Sequence, residues 1–251
     1  MTRGFFITGT DTGVGKTVIA GALLLIIRSL GISVCGMKPI ETGCMKSENV
    51  VQKTESRVKD TLLIPLIPAD GMFLKEIADM DDSIDVITPI RFEKPLAPFP
   101  ASEIEGIPVD IEKIKKAFED LLRKYDMAVI EGIGGLLVPL NRNYFVLDLI
   151  KHFGLPIVIV SRPGLGTINH TLLTVNYAIK EGINVAGIIM NYSQSPEKTL
   201  AEETNPKVIR QISPVPLIGI FPYLEDLEKS TMEQAAVKTL NLEIIRNYLP
   251  A

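Results

Sequence analysis

Three residues near the start of the chain have the types and the order needed to bind a phosphate group. Gly15, Lys16 and Thr17 stand between an apolar run of strand length and an apolar run of helix length. At such a junction, backbone N–H groups and the helix dipole hold phosphate oxygens, the lysine adds a positive charge, and the hydroxyl ligates magnesium. The sequence therefore predicts a P-loop, in which the expected nucleotide contacts are Gly13, Val14, Gly15, Lys16, Thr17 and Val18.

The first half of this loop is one residue longer than the usual pattern. The pattern G-x-x-x-x-G-K-[ST] requires a glycine at position 10, where this chain has Thr10, and its first glycine is Gly9. A chance glycine cluster in a tight turn is the alternative, but strand, loop and helix all agree with a P-loop. We therefore expect the loop to bulge at Asp11 and Thr12, over the terminal phosphate, where a second substrate must lie during phosphoryl transfer.

Polar residues also follow other apolar, strand-like runs. Lys38, Glu131 and Asn191 each end such a run, and the segment 161–170 ends in a glycine loop and a helix start. Each residue alone could be a solvated lysine, a turn cap or a turn former. In doubly wound sheets, however, ligands bind outside the carboxyl ends of the strands. Together, these residues predict one site at that edge.

Strand-length apolar runs alternate with helix-length periodic segments along the whole chain. We expect strands at 4–8, 32–40, 127–132, 155–161, 183–191 and 214–222, and helices at 16–30, 70–80, 110–125, 143–154, 167–182 and 232–248. Residues 85–92 are expected to be extended, and 93–102 to form a proline-rich loop. The fold class is α/β: a single P-loop NTPase-type domain over residues 1–251, with a mostly parallel sheet and helices on both faces.

Composition limits the partners and the compartment. The chain has 251 residues, of which 46% are hydrophobic and 22% charged, with a net charge of −4. No basic excess points to nucleic acid, and the two cysteines form no disulfide framework. The longest uncharged apolar run, 18–27, is about half of what a membrane span needs. We expect a cytoplasmic protein with no nucleic-acid or membrane partner.

Eight segments in order along the chain resemble the dethiobiotin synthetase family. They are "TGTDTGVGKT" at 8–17, "GMKPIETG" at 36–43, "LIPADGMFLKE" at 66–76, "PIRFEKPLAP" at 89–98, "IEGIGGLLVPL" at 130–140, "GLGTINHTLLT" at 164–174, "GIIMN" at 187–191 and "ETNPKVI" at 203–209. The longer P-loop is itself a trait of this family, in which the added residue faces an organic co-substrate.

The resemblance implies an ATP-dependent cyclo-ligase that uses ATP as co-substrate and Mg²⁺ as cofactor. Its substrates are 7,8-diaminononanoate and CO2, which form a carbamate. ATP phosphorylates the carbamate to a carbamic-phosphoric anhydride, and the second amine displaces phosphate. The products are dethiobiotin, ADP and phosphate.

The resemblance also implies roles for individual residues. Lys16 would hold the terminal phosphate, and Lys38 would neutralise the carbamate and the charge that passes between the substrates. Thr12 is expected to act with these two lysines, and Thr12 and Thr42 to contact the carbamate and the diamine. Phe99 stands where many members have histidine, so we assign no catalytic histidine.

Thr17, Asp70 and Glu131 are the expected magnesium ligands, because hard oxygen donors suit this ion. Asp60 is equally acidic and lies nearby in sequence. We choose Asp70 because it opens a predicted helix.

Recognition of the nucleotide base is expected around the end of the fifth predicted strand. By resemblance, Asn191 binds the adenine edge, with Pro222, Tyr223 and Leu224 packed near it. Many members have an acid where this chain has Tyr192, which leaves strict selection of ATP open. The remaining expected nucleotide contacts are Gly132, Ile133 and Gly134.

A homodimer is expected, with each active site completed by the partner. In the family, the loop at Gly166, Thr167 and Asn169 reaches the diamine of the neighbouring subunit, and its helix start would suit the substrate carboxylate. The alternative is an ordinary strand-to-helix turn with Thr167 as the helix cap.

Two other functions share this type of P-loop. A cobyrinate-type amide synthetase usually has an added glutamine amidotransferase domain, for which this chain has no room. A partitioning ATPase typically has a second lysine near the start of the loop, where this chain has Thr10 and Asp11. Both alternatives are therefore disfavoured.

Overall fold

A computed structural model describes residues 4–47 and 65–250. Its strands are β1 Gly4–Gly9, β2 Val34–Met37, β3 Ile40–Thr42, β4 Met45–Lys46, β5 Leu66–Ile67, β6 Ile90–Phe92, β7 Met127–Glu131, β8 Pro139–Asn141, β9 Tyr144–Phe145, β10 Ile157–Ser161, β11 Val185–Asn191 and β12 Leu217–Phe221. Its helices are α1 Lys16–Ser29, α2 Ala69–Ile77, α3 Ile84–Ile87, α4 Pro98–Glu105, α5 Ile111–Leu122, α6 Val146–Phe153, α7 Thr167–Lys180, α8 Leu200–Ile212, α9 Lys229–Thr239 and α10 Leu242–Arg246.

The main sheet is parallel and has the strand order β12-β11-β10-β1-β7-β2. β1 lies inside it and pairs with β7 on one side and β10 on the other. Every residue of β1, β7, β10 and β11 is buried, so both faces of the sheet are covered. Strands buried on both faces have continuous apolar sequences, which is why their runs were easy to recognise. The predicted fold class is confirmed.

Parallel pairing brings the carboxyl ends of neighbouring strands to one edge. Ile7 of β1 is in register with Glu131 of β7, and Met37 of β2 with Ile130 of the same strand. The P-loop follows β1 directly, and Lys38 follows β2. The sheet thus brings together residues that are far apart in the sequence.

The predicted second strand, 32–40, is two strands in the structure. β2 ends at Met37, and after Pro39 the chain continues as β3, which pairs with β6 in a separate two-stranded sheet. Proline has no backbone N–H and fixes φ, so the ladder between β2 and β7 does not continue through Pro39. The interruption leaves Lys38 outside both sheets, at the edge of the site.

Three other predictions were wrong in part. The segment 85–92 begins inside the short helix α3 and ends in β6, and the proline-rich segment 93–102 contains the start of α4. Proline is well tolerated in the first turn of a helix, and here Pro98 opens α4. The tail is two helices, because Leu240 forms an antiparallel bridge with Gly219 between α9 and α10.

Helix α8 was not predicted, because Pro206 stands in its interior. A capping box at its start, Thr199 with Glu202, was the available signal. Elsewhere the predicted elements match to within a few residues, including the Asp110 cap of α5, which accepts a hydrogen bond from the Lys113 N–H at 2.9 Å. Among the described helices, none has the length and apolar character needed to cross a membrane.

Candidate active site

A cavity of about 320 Å³ lies at the carboxyl ends of β1, β2 and β7. Its lining includes most of the predicted phosphate, magnesium and substrate residues. The lining residues are Thr12, Gly13, Gly15, Lys16, Thr17, Lys38, Glu41, Thr42, Asp70, Glu131, Ile133 and Gly134. The structure therefore brings together side chains from both sheets and from the first turn of α2.

The P-loop is held from the end of β11. Gly15 has φ 85°, and a Cβ there would lie 2.0 Å from Nδ2 of Asn191, so only glycine fits. Asn191 Nδ2 donates to the Val14 carbonyl at 2.9 Å. The Oδ1 atom of Asn191 is buried and has no hydrogen-bond partner within residues 4–47 and 65–250. It remains available to a donor such as the adenine amino group.

The extra residue of the loop forms a lip above the cavity. Asp11 ion-pairs with Arg162, which directly follows β10, and its carbonyl oxygen accepts a hydrogen bond from Lys16 Nζ at 3.1 Å. Thr12 is exposed and lines both the phosphate cavity and an adjoining apolar cavity. The lip is therefore anchored through Asp11, while Thr12 faces both spaces.

Lys38 lies buried between two carboxylates. Its Nζ atom is 2.6 Å from Glu131 Oε1 and 2.9 Å from Asp70 Oδ2, and it donates to the Gly132 carbonyl at 3.3 Å. Burial alone would lower the pKa of Lys38, but the two carboxylates outweigh burial and raise it. Lys38 therefore holds its proton more firmly than an ordinary lysine does.

The pKa of Lys16 is shifted in the opposite direction to that of Lys38. Burial, helped by the nearby positive charge of Lys38, lowers the pKa of Lys16 to about 8. The carboxylates of Glu131, Asp70 and Asp11 oppose this shift and are weaker. In the free protein Lys16 therefore loses its proton at a pH far below that of an ordinary lysine.

Thr17 and Glu131 form the centre of the candidate magnesium site. The Thr17 hydroxyl donates to Glu131 Oε1 at 2.9 Å, while Glu131 Oε2 is buried and has no partner among the described residues. A buried carboxylate oxygen without a partner fits a metal ligand. The third expected ligand, Asp70, is linked to Glu131 through Lys38. A hydroxyl and two carboxylates are hard oxygen donors that would hold magnesium.

Glu41 is a cavity residue that the sequence did not single out. Its carboxylate is buried and accepts the backbone N–H groups of Asp70 and Gly71, each at 3.0 Å. Burial raises the pKa of Glu41, and the hydrogen bond from Gly71 opposes that shift. The only sequence signal was its position next to Thr42 in the segment 36–43.

The predicted residues for the base lie apart from the phosphate cavity. Pro222, Tyr223 and Leu224 follow β12, and Tyr223 is exposed.

Two other predicted nucleotide contacts also lie outside the lining of the phosphate cavity. Val18 is half-buried in the first turn of α1, and the carbonyl of Gly132 accepts a hydrogen bond from Lys38. Asp60 lies outside the described residues.

Gly166, Thr167 and Asn169 lie outside the phosphate cavity as well. Gly166 and Asn169 line another cavity, on the exposed side of α7, with Leu165, Ile168, Leu172, Leu173, Asn176 and Asn205. Gly166, with φ 91°, occupies the capping position, whereas Thr167 is buried and its hydroxyl bonds that of Thr171 at 3.2 Å. Thr167 is thus the first residue of α7 and not its cap.

An apolar cavity of about 570 Å³ lies between these two spaces. It shares Thr12 and Gly134 with the phosphate cavity, and Leu173 with the cavity at α7. Leu136, Leu137, Val138, Pro139 and Tyr177 contribute most of its apolar lining. A ligand with a phosphate-accepting end and a hydrocarbon chain would find both environments side by side.

The parallel sheet, the glycine loop at the carboxyl end of β1 and the lysine that begins α1 define a P-loop NTPase-type domain. The family described as an AAA domain matches residues 3–231. The solved structure of the septum site-determining protein MinD from Pyrococcus horikoshii, complexed with Mg-ADP, is similar with a TM-score of 0.50 and 18% identity, covering 95% of this chain and 88% of that one. At this identity, the likeness concerns the fold alone.

Sequence comparison narrows the class to one family. The ATP-dependent dethiobiotin synthetase BioD of Thermodesulfovibrio yellowstonii is 46% identical over 98% of this chain and 99% of its own length. The proteins of the same name from Methanocaldococcus jannaschii and Bacillus subtilis are 39% and 37% identical, over 89% and 98% of this chain and 95% and 99% of their own lengths. The chain belongs to the ATP-dependent dethiobiotin synthetase family.

Nucleotide binding should take up a proton in mildly alkaline solution. Above pH 8 the free protein has Lys16 partly neutral, and the phosphates of a bound nucleotide raise its pKa again. We expect uptake approaching one proton at about pH 9 and almost none from this group below about pH 7. Calorimetry of ADP binding in buffers of different ionisation enthalpy measures it.

The Lys16→Arg variant is the matched control, because guanidinium stays protonated throughout this range. It should bind ADP without the uptake. Equal proton uptake by the wild-type protein and this variant would contradict the assignment to Lys16.

Proposed function

We propose that this chain catalyses the ATP-dependent ring closure of 7,8-diaminononanoate with CO2 to dethiobiotin, releasing ADP and phosphate. The observation that carries the proposal is the convergence of two lysines on one cavity beside an apolar pocket. Lys16 begins α1, and Lys38 follows β2. Membership of the dethiobiotin synthetase family supports the same substrate. A P-loop that only hydrolyses ATP has no need of the second, buried lysine or of the apolar space.

The reaction proceeds in three balanced steps. One amine of the substrate adds to CO2 and loses a proton, which gives a carbamate. A carbamate oxygen then attacks the terminal phosphorus of ATP, so that a carbamic-phosphoric anhydride forms and ADP leaves. The second amine attacks the carbonyl carbon, the C–O bond to phosphate breaks, and a proton is released with phosphate as the cyclic urea closes.

Lys16 and Lys38 would neutralise the negative charges that come together in the phosphoryl-transfer step. Two anions, the carbamate and the triphosphate, must meet in a cleft, and phosphoryl transfer depends mainly on positioning and charge neutralisation. Lys16 binds the terminal phosphate from the P-loop, while Lys38 neutralises the carbamate. Thr12, on the lip, and Thr42, at the end of β3, donate to the carbamate and the diamine.

Thr17, Asp70 and Glu131 would hold magnesium, with Glu131 Oε2 as the oxygen that lacks a partner among the described residues. When bound, the ion neutralises phosphate charge. Asn191 Oδ1 accepts a hydrogen bond from the adenine amino group, and residues 222–224 pack near the base. The protein's own groups thus orient both ends of the nucleotide.

The hydrocarbon chain of the diamine occupies the apolar cavity next to Thr12. Its carboxylate then points toward α7, where Leu165 is 91% and Leu173 62% exposed. Side chains of this size, exposed together on one face, favour burial against a second copy of the chain. We propose a homodimer in which Gly166, Thr167 and Asn169 of the partner bind the substrate carboxylate.

We further propose that the protein is cytoplasmic and has no nucleic-acid partner, in keeping with its net charge of −4.

The direct test of the function is a product assay. Purified protein with diaminononanoate, bicarbonate and Mg-ATP should yield dethiobiotin and ADP in equal amounts by mass spectrometry. If the rate of ATP hydrolysis does not change when diaminononanoate is added, but rises with a protein or membrane partner, the chain would instead be a partitioning ATPase.

Replacing Lys38 with alanine should lower turnover by about 10²–10³-fold at saturating substrates, because a preorganised cation aimed at transferring charge is lost. The loss of turnover should exceed any loss of ADP affinity, which also responds because Glu131 contacts Thr17 of the P-loop. Steady-state ADP release measures the effect. The control Lys151→Ala removes an exposed lysine paired with Glu181 and should keep full turnover. Near wild-type turnover in Lys38→Ala would eliminate its proposed role.

The Asp70→Asn variant should need more magnesium for half-maximal turnover, by about tenfold, because a charged ligand becomes a weaker neutral one. Asp79→Asn is the matched control beyond the other end of α2, where Asp79 pairs with Arg28 and Lys229. Asn tolerates the positive φ of 50° at this position. If only the Asp79 variant shifts the magnesium requirement, the assignment of Asp70 is wrong.

Mixing two inactive variants should restore activity if the sites are shared. Lys16→Ala damages the P-loop, and Asn169→Trp blocks the partner's contribution from an exposed position without the backbone strain that a side chain at Gly166, φ 91°, would add. After subunit exchange, half of the dimers are mixed and each has one intact site, so about a quarter of wild-type turnover should return. No recovery, or a monomer during turnover, would rule out the shared site.

A further inference from the structure

Glu41 links the two-stranded sheet of β3 and β6 to α2, the helix that contains Asp70. It lies in the middle of β3 and is only 5% exposed, although it lines the phosphate cavity. Its Oε1 accepts from the Asp70 N–H and its Oε2 from the Gly71 N–H, both at 3.0 Å. Both oxygens of one buried carboxylate are therefore committed to the first turn of α2.

The first turn of α2 has no cap of its own. The capping position is Pro68, which makes no side-chain capping hydrogen bond. The first N–H groups of a helix need partners from outside it, and a carboxylate there also gains from the helix dipole. Glu41, 29 residues before Asp70, supplies this cap from a different element.

The same turn also packs tightly against Thr88. A Cβ at Gly71 would lie 1.9 Å from Thr88 Oγ1, so the helix approaches Thr88 as closely as a glycine allows. The first turn of α2 is thus held by packing against Thr88 and by the hydrogen bonds to the Glu41 carboxylate. Asp70, which lies in that turn, has its backbone held by both contacts.

The position of Asp70 affects the remainder of the site. Its Oδ2 is 2.9 Å from Lys38 Nζ, which in turn contacts Glu131 Oε1 at 2.6 Å. Yet the Asp70 side chain is 38% exposed, so its own packing restrains it little. Its placement therefore depends on the ion pair with Lys38 and on where the backbone of the first turn is held.

We propose that Glu41 is a positioning residue, which holds Asp70 where it completes the magnesium ligand set with Thr17 and Glu131. The proposal rests on the magnesium site given above, but not on the identity of the organic substrate. Glu41 acts through the backbone of α2 and does not itself bind the ion. Its loss should weaken magnesium-assisted nucleotide binding while leaving metal-free binding unchanged.

The test is a binding measurement, so that it does not depend on ring closure. We would titrate magnesium against a fixed concentration of ADP with the wild-type protein, Glu41→Ala and Glu41→Gln, and measure metal-free ADP binding in parallel. Thermal unfolding of each protein reports its stability. The control Glu202→Gln alters a similar cap, since Glu202 accepts the N–H groups of Glu197 and Thr199 at the start of α8.

Glu41→Ala should raise the magnesium concentration for half-maximal ADP binding by about tenfold, because two charge-assisted hydrogen bonds are lost. Glu41→Gln should lie between, since an amide can accept only one of the two N–H bonds. Glu202→Gln should lose stability only through α8, and its magnesium requirement should stay at the wild-type value.

A wild-type magnesium requirement in folded Glu41→Ala, or in Glu41→Gln if the alanine variant does not fold, would overturn the proposal. So would an equal loss of metal-free and magnesium-assisted binding, which would mark Glu41 as a purely structural cap. If instead the wild-type protein binds ADP with magnesium as expected but forms no dethiobiotin, the proposed reaction fails while the role of Glu41 stands.

Discussion

The buried ammonium group of Lys38 is the interaction on which the rest of the site depends. A buried cation is costly unless opposite charges surround it, and here Glu131 and Asp70 lie within 3 Å of its Nζ. Removing one partner would leave an uncompensated charge, so the three residues must be maintained together. Glu131 lies in β7, Asp70 in α2, and Lys38 directly after β2, so these three parts of the chain are held together at a single nitrogen atom.

The same constraint explains the unusual course of the chain after β2. β2 ends at Met37, Lys38 and Pro39 follow it outside any sheet, and β3 then pairs with β6. The second sheet holds Glu41, which in turn holds the first turn of α2. A break in a strand, which would ordinarily weaken a sheet, therefore creates the space in which charged groups from both sheets can meet.

The sequence predicted the main sheet and the P-loop because both follow from local signals. Continuous apolar runs mark strands buried on both faces, and the order of Gly15, Lys16 and Thr17 marks a phosphate loop. Non-local and atypical features were missed. Glu41 acts on a helix 29 residues further along the chain, with no periodic or spacing signal to indicate it. Helix α8 was hidden by Pro206, whose presence argues against a helix in any local analysis.

The contact between Gly15 and Asn191 has a consequence for sequence variation within the family. An added methyl group at position 15 would lie 2.0 Å from the Asn191 amide, and the φ of 85° at this position strains any L side chain whatever space surrounds it. Position 15 should therefore remain glycine in relatives even where position 191 changes. A relative without an amide at position 191 would lose the hydrogen bond to the Val14 carbonyl, and its loop would need another donor at the same place.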